Sequence, residues 1–513
     1  MILEEDNINW TETAPGYWER GLDEGEKNYT TLATLFEGSG RVFFAITAHL
    51  SVQIRVLENE DKDMQSDKVD RALRNAWLAS RYDYPAIASQ VIYSPERPFF
   101  RKIYRTPKSD QDIEAWLKRT FVSVSSGQTG VEFVNADPPV PKLPTVFVLS
   151  PPSPDGVIHR DLVLRSPHEL IDGIGTMHLW NNLVRHAAQV YEDDDSWQSP
   201  ALDGTESRLL SPAYRVAANI PPSLTEAQQE KIDAIAAELT ASNEGLNMMS
   251  VPFTRGSLVP GKHQRIALNL SRDTTARLLK ACSDAQVTVT HAFHAAIAMA
   301  VRHLQPAKKE PTKGRYASWV LRNERSHCHE PYNSAKHAAA VYHSISGRAV
   351  HIDLDLPVIG SSRQLGYEYE EGEFFRTARQ FKAFYESLRD DPDHYILVCA
   401  ICTLFTPPVP DAELAPDSSR PVPGPRDLPS VSLSSIGNID SNIEQKHGKF
   451  EVYEPWVTGE ELGNGYGLFL GTFRGELCLG GVYNDAWHGP EEMRNFLEHC
   501  RTLVLKGFGL LED

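Results

Sequence analysis

Alternation between apolar and polar positions changes period several times along the chain, and each change predicts an element. Residues 1–40 read as an irregular arm ending in Gly38-Ser39-Gly40. A strand-rich stretch follows from Arg41 to Leu57, with Phe43, Phe44, Ile46, Leu50, Val52, Ile54 and Val56 as its apolar positions. Ser66 and Asp67 are placed to cap a helix whose apolar residues Val69, Leu73, Ala76 and Trp77 recur at helical spacing. Short strands are predicted at 89–93 and 121–125, with a polar helix at 112–119 between them. Thr145–Leu149 then leads to a run from Val157 to Ser166 that is long and apolar enough for a buried strand. Beyond Asp172 the period becomes helical, with Ile174, Met177, Trp180, Leu183, Val184 and Ala187 on one face.

The pattern breaks at the acidic run 192–195, which reads as a solvated face, and a polar stretch reaches Pro212. Ser223 and Glu226 have capping-box spacing ahead of a helix carrying Ile232, Ile235, Ala236 and Leu239. In the second half, Ile266, Leu268 and Leu270 alternate as a strand, a helix runs from Arg272 to about Asp284, and Val287–Thr290 is strand-like before an apolar helix from His291 to His303. Strands near 318–321 and 348–356, a helix at 374–388 and an apolar stretch at 395–405 follow. Eight prolines between Thr406 and Ser430 predict a long loop, either a lid or disordered. A strand from Val431 ends in Ser434-Ser435-Ile436-Gly437-Asn438, a hairpin turns at Arg474-Gly475, and a helix begins at Pro490.

With 513 residues the chain exceeds one ordinary core and is expected to form an α/β (α+β) protein of two domains, divided as 1–191, a crossover at 192–255, and 256–513. At 41% hydrophobic and 23% charged residues the composition is that of a soluble globular protein, with no run long enough to span a membrane and no basic leader at the start. A net charge of −18 disfavours nucleic acid as a partner. Six scattered cysteines fit free thiols in a reducing compartment, so a cytoplasmic location is expected.

The candidate chemistry is an H-x-x-x-D-G arrangement, His168, Asp172 and Gly173, where the strand turns into a helix. Such a junction holds a side chain by its flanks and leaves the tip facing a cleft, as a general base requires. The structural alternative is a helix-start histidine bonded to a backbone carbonyl. Gly173 and Gly175 would let a ligand or another strand approach the backbone. Other chemistry is disfavoured. His291/His294, His327-Cys328-His329 and Cys399-x-x-Cys402 lack the further ligands a metal needs. Gly463, Gly465 and Gly467 precede a strand, against the order of a dinucleotide fingerprint. His168-Glu169-Leu170-Ile171-Asp172 ends in Asp where a zinc protease needs a second histidine.

Leu164–Gly173, with weaker support from 76–85, 287–293, 434–438 and 477–484, resembles the chloramphenicol-acetyltransferase-like superfamily of CoA-dependent acyltransferases, and within it the fungal trichothecene 15-O-acetyltransferase branch. Pro167 stands where condensation domains carry a second histidine, and the D-F-G-W-G sequence of the plant enzymes is missing. The resemblance implies two domains, each a mixed sheet flanked by helices, with an active-site tunnel between them. It implies that His168, with an ordinary pKa near 6.5, deprotonates an acceptor hydroxyl as it attacks acyl-CoA, a co-substrate used without any permanently bound cofactor or metal. Asp172 would hold the loop through an arginine, for which Arg81 is the candidate, with Gly173 and Arg165 in support. Ser434, Ser435 and Asn438 are candidates for oxyanion or acceptor contacts, against the plain alternative of a polar-faced strand and turn. A monomer acting on a small hydroxylated metabolite such as a sesquiterpenoid is expected. The rival readings are an amide- or ester-forming condensation enzyme and a non-catalytic binding protein on the same fold.

Overall fold

The computed structural model describes residues 7–94, 97–241, 245–360, 372–408 and 422–511. Its first layer is a six-stranded sheet in the order Lys446–His447, Phe450–Gly459, Ile46–Arg55, Val157–Ser166, Thr145–Leu149, Phe121–Val124. Ile46–Arg55 and Val157–Ser166 pair antiparallel over their full lengths, from Ile46 opposite Ser166 to Arg55 opposite Val157. Burial on both sides explains the near-continuous apolar run of the second of these strands. Helices Lys62–Asp83 and Gly173–Asp193 close the core beneath this sheet, where Trp77 and Trp180 are fully buried and Trp77 Nε1 donates to Thr120 Oγ1 at 3.0 Å.

The second layer is a four-stranded sheet, Val431–Asn438, Tyr466–Phe473, Glu476–Asn484 and His263–Leu270, packed on helices Val289–His303, Glu373–Asp390 and Pro490–Gly507. The chain therefore builds two packed α/β layers, and the strands Lys446–His447 and Phe450–Gly459 come from the far C-terminal segment yet belong to the first sheet. The turn Arg474-Gly475 has both residues at positive φ, 52° and 76°, the twist a tight hairpin needs. Among the described residues no helix is long and apolar enough to cross a membrane.

Several elements differ from expectation. Residues 11–36 are ordered: strand Thr11–Ala14 pairs with Tyr17–Gly21, which pairs with Arg97–Arg105, itself unforeseen, and helix Glu24–Phe36 follows, capped by Asp23 with Glu26 reaching back. The helix predicted from Ser66 starts at Lys62, with Asp61 as cap. The capping box sits at Thr225 and Gln228, two positions beyond Ser223 and Glu226. Thr288 and His291 are also a capping box, so the β-branched run 287–290 starts a helix; Thr288 accepts from His291 N at 3.3 Å while His291 Nδ1 accepts from Thr288 N at 3.2 Å. Cys399 and Cys402 lie on a helix, His394–Phe405, as free thiols. Of the proline-rich loop, 409–421 fall outside the described residues.

Candidate active site

The strand Val157–Ser166 ends at Pro167, whose ring ends the ladder, and a turn carries His168 to Asp172 before the helix Gly173–Asp193 begins. Asp172 is the N-cap. Its Oδ1 accepts from Gly175 N at 2.7 Å, and its Oδ2 accepts from Arg325 Nη1 at 2.8 Å and from Tyr342 N at 2.7 Å. Its own N–H donates to Ala340 O at 3.1 Å. One buried carboxylate thus fastens the segment 325–342 of the C-terminal half onto the histidine loop. Although burial opposes ionisation, Arg325, His343 and the Gly175 N–H hold Asp172 below the usual carboxylate range. The arginine is Arg325 and not Arg81, which stacks over the Trp116 ring at 4.6 Å. Nothing in the local sequence announces this partner, since it lies 153 residues away.

Gly175 proves the sterically demanding glycine. A Cβ there would lie 2.1 Å from Ala338 O and 2.9 Å from Arg325 Nη2, whereas one on Gly173 would meet Ile436 and Val457 at an ordinary 3.5 Å. Arg165, three residues before the histidine, pairs with Glu460 and with Pro138 O and lies 3.6 Å from Asp137. It ties the histidine strand to the end of Phe450–Gly459 and does not line the main cavity.

That cavity measures about 940 Å³ and lies between the two sheets, with Val457 of the first and Ser434 and Phe469 of the second among its walls. His168 lines it while remaining 94% buried, its residual exposure being 6%. The imidazole is sandwiched: Tyr29 stacks on it at 3.8 Å and 7°, and His343 and Phe44 flank it at 5.4 Å and 6.2 Å between ring centroids. Burial, with His343 adding to it, pushes its pKa down from the ordinary value to about 3, where an unshifted value near 6.5 was expected. No other residue bonds Nδ1, and the ring's one backbone interaction, with His168 itself, opposes the downward shift.

Ser434, Ser435 and Asn438 line the same cavity. Ser435 Oγ is 2.9 Å from Thr290 Oγ1, and Asn438 Oδ1 accepts from Asp440 N at 3.2 Å. A bulge between Ser435 and Gly437, with Gly437 at φ 78°, shifts the register before the strand's last two residues. Aromatic side chains, among them Phe36, Phe43, Phe44, Trp319 and Phe405, also line the cavity, and Arg322, Arg325 and Arg426 bring positive charge to an acidic chain. Tyr29 and His343 were not singled out from sequence. The signal for Tyr29 was present: Asp23-x-x-Glu26 is a capping box ahead of Tyr29, Leu32, Leu35 and Phe36. For His343 there was none.

His291 and His294 belong to a different environment, His294 stacking on Phe381 at 4.0 Å. Among the described residues no cluster of His, Cys, Asp or Glu could hold a metal ion.

No family model matches the chain. It is 25% identical over 509 residues to O-acetyltransferase pigM of Monascus ruber, covering 97% of this chain and 87% of that protein. It is 24% identical to acetyltransferase pigO of the same organism, covering 98% and 99%. The structure of the TRI3 trichothecene 15-O-acetyltransferase from Fusarium sporotrichioides superposes with a TM-score of 0.77 over 99% of both chains at 16% identity. At this identity the likeness shows a shared two-layer fold. The first condensation domain of the CDA synthetase shares this fold at a TM-score of 0.58 and 13% identity, over 97% of both chains. The fold places His168 between the two layers, at the wall of the large cavity.

Proposed function

We propose that this acetyltransferase moves an acetyl group from acetyl-CoA to a hydroxyl of a small secondary metabolite, with His168 as the general base. The observation that carries the reading is a buried imidazole, walled by aromatic rings, opening on a cavity of about 940 Å³ between the two sheets. That is near the upper end of small-molecule sites, enough for a thioester arm and an acceptor together.

Because burial disfavours the imidazolium, His168 is unprotonated at neutral pH. It takes the hydroxyl proton as the oxygen attacks the thioester carbonyl, then returns it to the departing thiolate. The same burial that keeps the base free makes its charged form short-lived, which favours rapid return of that proton. Asp172 has both oxygens committed to backbone N–H groups and Arg325, so it holds the loop and does not relay protons. Ser434, Ser435 and Asn438 are the groups assigned to the tetrahedral oxygen or to the acceptor. Sesquiterpenoid alcohols are the first acceptor class to test. The reading has the protein act as a cytoplasmic monomer without permanent cofactor.

The test is release of CoA thiol from acetyl-CoA with a panel of trichothecene and other hydroxylated acceptors, amines included. His168→Ala is expected to lower turnover on the order of 10² to 10⁴-fold with unchanged melting. Full acetyl transfer by that variant, or transfer to amines alone, refutes the proposal.

A further inference from the structure

A histidine base is usually held in plane by a partner on its second ring nitrogen. Here no other residue supplies it. The ring's backbone interaction is with His168 itself, and the motif carboxylate, Asp172, is fully engaged by Gly175 N, Arg325 and Tyr342 N. Neighbouring residues therefore hold the ring through its faces. Tyr29 covers one face, parallel within 7° at 3.8 Å. The Tyr29 hydroxyl is in turn 2.9 Å from His343 Nε2, and burial, which pushes the phenol pKa up, keeps it a donor. The helix carrying Tyr29 is anchored to the histidine loop itself. Lys102 Nζ donates to Glu26 Oε1 at 2.7 Å and to the Glu169 carbonyl at 2.9 Å, and Arg20 grips Glu26 through two contacts of 2.6 Å. One buried ammonium thus spans the helix one turn before Tyr29 and the residue next to His168.

We infer that Tyr29 and His343 are positioning residues for His168: the phenol face fixes the imidazole plane and carries part of the charge that forms on it, and His343 fixes the phenol. The inference rests on His168 being the base. A cation forming over an aromatic face is stabilised by the ring quadrupole, so Tyr29 favours the protonated ring at the moment of transfer without a carboxylate.

Steady-state kinetics with acetyl-CoA and the alcohol panel above, run on Tyr29→Leu, Tyr29→Met, Tyr29→Phe, His343→Gln and His168→Ala, test it. Tyr29→Leu and Tyr29→Met are expected to lower kcat roughly 10 to 100-fold, with KM for acetyl-CoA within about 3-fold. Tyr29→Phe keeps the stack and is expected to recover to within about 3-fold of the native rate. His343→Gln should lose as much as Tyr29→Phe, and the double variant no more than either, because both remove one hydrogen bond. If the non-aromatic variants fail to fold, this double-mutant cycle decides alone. Native kcat in Tyr29→Leu, a change confined to KM, or additive losses in the cycle overturns the inference. Inactivity of His168→Ala alongside such a result leaves the base assignment standing, whereas an active His168→Ala removes both.

Discussion

Replacing Arg325 by leucine tests whether the motif aspartate is a fastener or a participant. The pair Arg325–Asp172 is buried, with side chains 4% and 2% exposed and 2.8 Å between Nη1 and Oδ2. Removing one member of a buried pair costs about 3–5 kcal/mol, because the other charge stays behind without compensation. Asp172 keeps the Gly175 and Tyr342 N–H donors at 2.7 Å, so the lower end, about 3 kcal/mol, is expected for Arg325→Leu. The pH dependence follows. In the native protein Asp172 titrates below its ordinary value, so its contribution is complete above about pH 4 and fades as pH falls through the depressed value. In Arg325→Leu burial dominates and the carboxyl pKa rises, so the deficit is largest at pH 7 and narrows as the carboxylate is neutralised in acid. Urea unfolding of both proteins at pH 7 and pH 5, with turnover measured in parallel, gives the comparison. Stability and turnover are expected to fall together, since the same pair docks the segment bearing His343 and Tyr342. In Arg325→Leu/Asp172→Asn the lost charges match, and part of the stability returns. An Arg325→Leu protein as stable as the native one, with only turnover reduced, refutes the fastening role.

The two glycines of the motif separate sharply. Gly175→Ala, whose Cβ meets Ala338 O at 2.1 Å, is expected to cost about 1–3 kcal/mol in urea unfolding, while Gly173→Ala changes stability by no more than about 1 kcal/mol. Equal effects contradict the packing described. The free-enzyme profile of kcat/KM is expected to stay level from about pH 8 to about pH 5, because His168 does not take up a proton until about pH 3; an inflection near 6.5 shows a solvated, unshifted histidine. Stability has a stricter acid limit. His168, His263, His294 and His303 are pushed down to about 3 and His178 to about 4, burial leading in each case. The unfolded chain binds these protons from about pH 6.5 downward and the folded one does not, so stability falls as pH drops, each histidine contributing up to about 1.4 kcal/mol per pH unit. A stability curve flat from pH 7 to pH 5 contradicts their neutral burial.

What local pattern can specify, the sequence specified. The strand Val157–Ser166 and the helix after Asp172 were legible because burial on both faces and a 3.6-residue period leave direct marks, and together they located His168 at a junction. Ser434, Ser435 and Asn438 were legible as a polar strand end that proves to line the same cavity. The tertiary structure alone decided what surrounds the histidine. Arg325 is 153 residues from Asp172, and Tyr29 and His343 are 314 apart, and no local periodicity encodes such pairings. They arise because the first helix and the segment 325–343, far apart in the chain, are both fastened to one loop, through Lys102 at Glu26 and Glu169 and through Arg325 and Tyr342 at Asp172. Tertiary burial likewise set the imidazole's proton affinity, since a pKa depends on the water excluded around a group and not on its neighbours in sequence.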